Sequence, residues 1–278
     1  MPDEAPRNRD ARLAAERALV RVVHHYGSRP EFVLFGGLMP ELLCGGANFR
    51  HAGTTDVDVQ VNLEIACGSV NAERLEHALR NAEFEPDSGE VWRWTTNEGG
   101  TPMVVKFELL ADLDDIPSEE TLTFNGCNAL GAVNLRGTRF ASCDVVVHEL
   151  AAPVGDLTRR VEINVTGLAG FLLAKTAAAY SRRKPKDWYD IAFVLLHNDA
   201  GGAQEAGREV LSRFGDELVG GTRTALDDLA ANFSNPDAQG PGAYASQMLI
   251  DHPDLDSVVL AADAVLAVTT FHSTLFDV

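Results

Sequence analysis

The stretch Thr54-Thr55-Asp56-Val57-Asp58-Val59 alternates acid with valine. Successive side chains of a strand point to opposite faces, so Asp56 and Asp58 share one face and Val57, Val59 and Val61 the other. Two carboxylates about 7 Å apart along a strand can share one or two hard divalent cations. Upstream stands Phe35-Gly36-Gly37, and a glycine pair lets backbone N–H groups approach a phosphate closely. Together the two elements point to a site for a metal-bound nucleoside triphosphate. Neither is specific alone: the chain has 41 acidic residues, and Gly-Gly recurs at Gly45, Gly99, Gly201 and Gly220. The ordered set carries the signal: apolar run, Gly-Gly, short helix, Arg50-x-x-x-Thr54, then Asp-x-Asp within an apolar strand. An amphipathic edge strand with two solvated acids would need none of the rest.

Outward from this stretch, Asp10 to Tyr26 has helical spacing of apolar residues closed by Gly27. Phe32–Phe35 reads as a short strand and Leu38–Cys44 as a short helix stopped by Gly45-Gly46. The Asp-x-Asp strand is expected from about Thr55 to Leu63, followed by a helix over Asn71–Asn81. Strands are expected at Val91–Thr95 and Met103–Leu110 around a Gly-Gly turn, then near Leu122, Val133, Asp144–Leu150 and Val161–Val165. Beyond Gly167 only helical spacing remains: Leu168–Arg182, Asp187–Leu196, Gln204–Phe214, Thr222–Asn232, Ala243–Ile250 and Leu255–Leu275. Ser234–Gly242, rich in Pro and Gly, reads as a loop. The expectation is an α/β domain with a mixed sheet over 1–166 and an all-helical domain over 167–278.

A chain of 278 residues is long enough for two domains. No run of 18 apolar residues occurs and Met1–Asp10 is charged, so neither a membrane span nor a secretory signal is expected. Cys44, Cys67, Cys127 and Cys143 are widely spaced, which suits reduced thiols in a cytoplasmic protein and no zinc site. The net charge of −18 argues against a broad electrostatic footprint on nucleic acid. It favours a cationic partner, or a polyanion docking through a local basic patch. Arg182, Arg183, Lys184 and Lys186 form the best such patch, with Arg159 and Arg160 a second; a basic turn after a helix is also an ordinary C-terminal cap.

Nucleotidyl transfer needs the charge on the attacking and leaving oxygens neutralised, which two metals about 3.5–4 Å apart achieve in a carboxylate cage. A third acid is therefore expected on a neighbouring strand. Glu108, inside Met103–Leu110, is the first candidate, and Asp112, two positions beyond Leu110, the alternative. An edge-strand glutamate paired with Lys106 would explain Glu108 without a metal. Lys175 stands where the Leu168, Phe171, Leu172, Ala178, Ala179 stripe wants an apolar residue. It must meet anions, such as a triphosphate, or snorkel to water; on that reading Lys175→Met would keep or raise stability. Asp187 and Asp190 share a face at i,i+3, with Asp187 also suited to an N-cap. Arg50 offers a planar fork to a triphosphate, and Thr54 and Thr55 offer hydroxyls. Trp92-Arg93-Trp94 suits base stacking or a half-buried strand, and His24-His25 a helix end. There is no Walker A, Gly-x-Ser-x-Gly or His-Glu-x-x-His.

Gly36-Gly37, the spacing to Asp56-Val57-Asp58, Glu108, and Lys175 with Lys186-Asp187-Trp188-Tyr189-Asp190-Ile191 resemble the nucleotidyltransferase superfamily. Within it they are most similar to the AbiEii/MenT-type toxins of bacterial toxin–antitoxin pairs. The resemblance covers roughly Phe32 to Leu196. It implies an α/β nucleotidyltransferase fold with a helical C-terminal domain, Mg²⁺, and transfer of NMP from an NTP, for those toxins mostly onto tRNA acceptor ends. Gly36 and Gly37 would match the phosphate loop, Thr54 and Asp56 the Ser/Thr-x-Asp, and Asp58 the second metal ligand; a glutamate, Glu108, as third carboxylate departs from the family. Lys175 and Asp187 would lie near the nucleotide, and an antitoxin would be a partner. The acidic surface departs from a tRNA-modifying pattern and suits a small cationic acceptor, as in aminoglycoside nucleotidyltransferases. A nucleotide-binding or interaction module without turnover is a further alternative.

Overall fold

The computed structural model describes residues 7–61, 70–97 and 103–277. The expected end of the Asp-x-Asp strand at Leu63, Cys67 and the Gly99-Gly100 turn lie outside them. The chain divides into two compact units. The first comprises Met1–Met39 and Gly53–Thr166, the second Pro40–Ala52 and Gly167–Val278.

The first unit is built on a mixed sheet. Its strands are β1 (Val33–Phe35), β2 (Asp56–Gln60), β3 (Glu85–Asp87), β4 (Glu90–Asn97), β5 (Val104–Ala111), β6 (Thr121–Thr123), β7 (Gly131–Asn134), β8 (Val145–Val154) and β9 (Leu157–Thr166). Among the described residues they form one sheet, in the order β3-β4-β5-β2-β1-β9-β8, with β6 and β7 continuing beside β5. The β2–β5, β1–β9 and β5–β7 pairs are parallel, and the others antiparallel. The Asp-x-Asp strand therefore lies inside the sheet, not at its edge.

The alternation in β2 is realised: Val57 and Val59 are fully buried, while Asp56 and Asp58 are partly exposed. Helix α1 (Arg9–Tyr26) starts at Asn8, whose side chain accepts the Ala11 N–H at 2.8 Å, and ends at left-handed Gly27. It packs against α3 (Val70–Asn81) and lies along β5, β8 and β9. Phe84 and Phe32 meet Phe107 edge-on, and Trp94 is fully buried beside them in the core. The short helix α4 (Arg139–Cys143) completes this unit, while α2 (Met39–Leu43) falls almost wholly in the second.

The second unit is helical: α5 (Leu168–Arg182), α6 (Pro185–His197), α7 (Ala203–Phe214), α8 (Gly220–Asn232), α9 (Gln239–Asp251) and α10 (Ser257–Phe276). Arg183 takes a left-handed conformation and donates its N–H to Ala179, which ends α5 sharply; Pro185 then opens α6, where its missing donor is harmless. Helix α9 begins within the segment expected to be a loop. Pro241 falls in its first turn, and a Cβ on Gly240 would stand 2.2 Å from the Phe233 ring, so both breakers serve the helix start. By length and composition α10, with mean hydropathy 1.6, is long and apolar enough to cross a membrane. Its Leu260, Ala264, Val268, Phe271 and Leu275 are buried within the unit, while Val258, Val259 and Leu266 are exposed.

Candidate active site

The first unit brings Gly36, Gly37, Thr54, Asp56, Asp58 and Glu108 onto one stretch of sheet. Gly36 opens a 3₁₀ turn (Gly36–Leu38) straight after β1, with φ +77. A Cβ built on Gly36 would sit 2.0 Å from Asp58 Oδ2, and one on Gly37 2.8 Å from Thr54 Cγ2. Only glycine lets the turn lie this close over the acids. Arg12, itself buried, steadies the turn by donating to the Leu38 carbonyl at 3.2 Å. Thr54 Oγ1 accepts the Asp56 N–H at 3.0 Å and so sets the entry into β2. Thr55 is fully buried, with its Oγ1 unpaired in the interior.

Strand register adds the third acid. Asp58 pairs with Glu108 across β2–β5, and Glu108 with Arg93 across β5–β4; one row along, Asp56 pairs with Lys106. Register partners share a face, so Asp58 and Glu108 lie side by side on this patch, with Arg93 and Lys106 as the neighbouring cations. Glu108 is not paired with Lys106 as an edge-strand acid would be. Arg93 Nε donates to its Oε1 at 2.7 Å, while Lys106 Nζ stands 4.0 Å from Asp56. Burial and the nearby Asp58 push the Glu108 carboxyl up to about 7, against the pull of Arg93. Asp112 has a different task. Its Oδ2 accepts the N–H groups of Gly137 and Arg139 at 2.8 and 3.0 Å, capping the turn into α4.

The donor chemistry and the glycine cradle over Asp58 suit a hard divalent cation at the Asp56–Asp58 pair. Among the described residues no group of three His, Cys, Asp or Glu side chains converges as a metal centre, and Glu108 Oε1 is held by Arg93.

Arg50, Lys175 and Asp187 belong to the second unit. Lys175 does not snorkel; it is buried in an ionic cluster. Its Nζ lies 3.0 Å from Asp187 Oδ1 and 2.7 Å from Asp190 Oδ2, both carboxylates being fully enclosed. Arg182 adds a two-pronged contact to Asp187, Nε to Oδ2 at 2.8 Å and Nη2 to Oδ1 at 2.9 Å. Buried His51 Nε2 lies 2.9 Å from Asp190 Oδ1, and its ring stacks on Tyr189, whose hydroxyl accepts the Ala52 N–H. Burial pulls the Lys175 ammonium down, but Asp190 and Asp187 outweigh it and its pKa is raised. Burial pushes Asp187 up, but Lys175 and Arg182 prevail and its pKa is lowered. Arg50 is largely exposed and bonds Glu41 at 2.9 Å.

Of the expected basic patch, Arg182 is engaged by Asp187 and Arg183 by Asp228 at 2.7 Å. Arg160 bonds Glu149. Trp94 belongs to the core and Trp92 lies under the Arg93 guanidinium, 4.3 Å from the ring centroid, so the pair does not form a stacking platform. Sequence reasoning missed Arg93 as a partner of Glu108, since only the β4–β5 register brings them together. It also missed Asp199, which accepts the Gly45 and Gly46 N–H groups at 3.0 and 2.8 Å.

No family profile and no curated protein matches the sequence. Among solved structures, the chain is similar to a crystal structure of a candidate nucleotidyltransferase from H. pylori. The two are 15% identical over 96% of each chain, with a TM-score of 0.45. At that level of likeness the functional reading rests on the residues themselves.

Proposed function

We propose that this protein is a Mg²⁺-dependent nucleotidyltransferase that moves NMP from an NTP to an acceptor. The carrying observation is the Gly36 turn pressed onto Asp58, with Asp56 beside it on β2 and Glu108 in register on β5. Asp56 and Asp58 would hold Mg²⁺, with Glu108 as the third carboxylate. The ion would supply charge neutralisation at the reacting phosphate. Gly36, Gly37 and Thr54 would seat the triphosphate, and Thr55 would hold the strand from within. Arg50 and Lys175 would be phosphate contacts only by leaving their present carboxylates. Asp187 would orient Lys175.

We take the acceptor to be RNA, of tRNA size, with the protein acting in the cytoplasm as the toxin of a toxin–antitoxin pair. The motif pair around Lys175 and Asp187 supports this; the net charge of −18 favours a small cationic acceptor instead. Incubation with labelled NTPs and total RNA tests both. A labelled tRNA-sized band that disappears with Asp56→Ala, at unchanged circular dichroism, is the expected result. Label on a small cation alone would replace the RNA acceptor by the aminoglycoside-type one. Absence of NTP consumption with any acceptor would favour a binding module. Because Arg182 and Arg183 are tied to Asp187 and Asp228, charge reversal at Lys184 probes RNA docking without breaking those pairs.

A further inference from the structure

The sheet delivers three carboxylates to adjacent positions, yet the third is turned to a cation of the chain itself. Asp58, Glu108 and Arg93 occupy one register row across β2, β5 and β4. Arg93 is the neighbour of Glu108 on the side away from Asp58. Its Nε hydrogen-bonds Glu108 Oε1 at 2.7 Å, its Nη1 is 3.7 Å from Asp87, and its guanidinium rests on Trp92. Three contacts therefore hold the guanidinium at the far side of Glu108. An arginine fork and a hard divalent cation seek the same carboxylate oxygens. Lys106 stands in the same relation to Asp56 one row along, but at 4.0 Å, a looser contact.

We propose that Arg93 is a positioning residue that competes with divalent metal for Glu108. It occupies Glu108 Oε1, an oxygen that metal needs, until metal displaces it, so Arg93 sets the metal concentration at which the site becomes complete. This rests on the reading of Asp56, Asp58 and Glu108 as the metal-holding set. No bond is made or broken; one ion pair is exchanged for another.

The test is Mn²⁺ binding by electron paramagnetic resonance, without nucleotide, on wild type, Arg93→Gln, Arg93→Lys and Asp58→Asn. Loss of a charge-assisted contact that opposes metal should tighten Mn²⁺ binding to Arg93→Gln by about tenfold. Arg93→Lys, which keeps the charge without the fork, should fall between it and wild type and also serves if the glutamine variant fails to fold. Equal or weaker binding in a folded Arg93 variant overturns the competition. Asp58→Asn separates the two levels: binding as in wild type would mean that the metal reading itself is wrong. Weak binding in Asp58→Asn with no gain in the Arg93 variants would remove only Arg93.

Discussion

Gly36 and Asp58 are packed so closely that no side chain fits between them: an added Cβ would stand 2.0 Å from the carboxylate oxygen. Gly36→Ala must shift either the turn or the acid. Gly89 is the natural control, since its φ is +92 and nothing lies within 4 Å of an added Cβ. Both alanines meet the left-handed backbone penalty of about 1–3 kcal/mol. The excess loss in Gly36→Ala over Gly89→Ala, read from urea midpoints, measures the contact with Asp58. Equal losses would mean that the contact relaxes freely.

Lys175→Met is expected to destabilise the protein, by about 3–5 kcal/mol, because it strips the ammonium from two enclosed aspartates. The sequence suggested the opposite, a methionine improving an apolar stripe. Urea denaturation distinguishes the two. A midpoint at or above wild type would show that Asp187 and Asp190 are adequately held by Arg182 and His51.

The same cluster gives an acid limit. Asp187 has a folded pKa below its ordinary 3.8, so the unfolded chain takes up its proton first. The stability it contributes is present above pH 3.8 and is lost as pH falls through the folded value. Asp187→Asn should flatten this part of the stability curve relative to wild type, as measured by thermal unfolding between pH 5 and 2.

Glu108 works in the other direction. Its carboxyl is raised from 4.5 to about 7, so between those values the folded protein binds the extra proton. Stability from this group is lost as pH rises across that window, and metal-free protein feels the full effect. In EDTA, Glu108→Gln should become progressively more stable than wild type from pH 4.5 to 7, by on the order of 1–3 kcal/mol. A difference that stays constant with pH would mean that Arg93 already compensates the charge.

Much of this could be read from the chain because its signals were local. Helix α5 runs from Leu168 to Arg182 as its spacing predicts, and the Asp56–Asp58 alternation fixes which face of β2 is buried. Signals that depended on pairing were not legible. β3 contains only Glu85-Pro86-Asp87 and is a strand solely through its pairing with β4. Pro241 looked like a breaker because the first turn of a helix, where proline is harmless, cannot be located without its neighbours. For the site, the sequence named the acids but not their counter-ions. Glu108 finds Arg93 through register, and Lys175 finds Asp187 and Asp190 by the packing of α5 on α6. Asp112 is engaged by two backbone N–H groups that no pattern announces.

Pro40–Ala52 belongs with the helices although strand-forming chain flanks it on both sides. During synthesis from the N-terminus, His51 therefore emerges 139 positions ahead of Asp190, and Gly46 emerges 153 ahead of Asp199. Closing loops of that length is entropically unfavourable and comes late. The sheet can be made around a segment whose own partners do not yet exist. A fragment ending near Thr166 would carry that segment permanently without them, with a buried-type histidine and an unanchored glycine pair left in water. The helical part, expressed alone, would leave Asp190 beside Lys175 but without its imidazole. Dissection of this protein by cutting between its units thus removes something from each piece, and a split that preserves both would have to graft residues 40–52 onto the helical half.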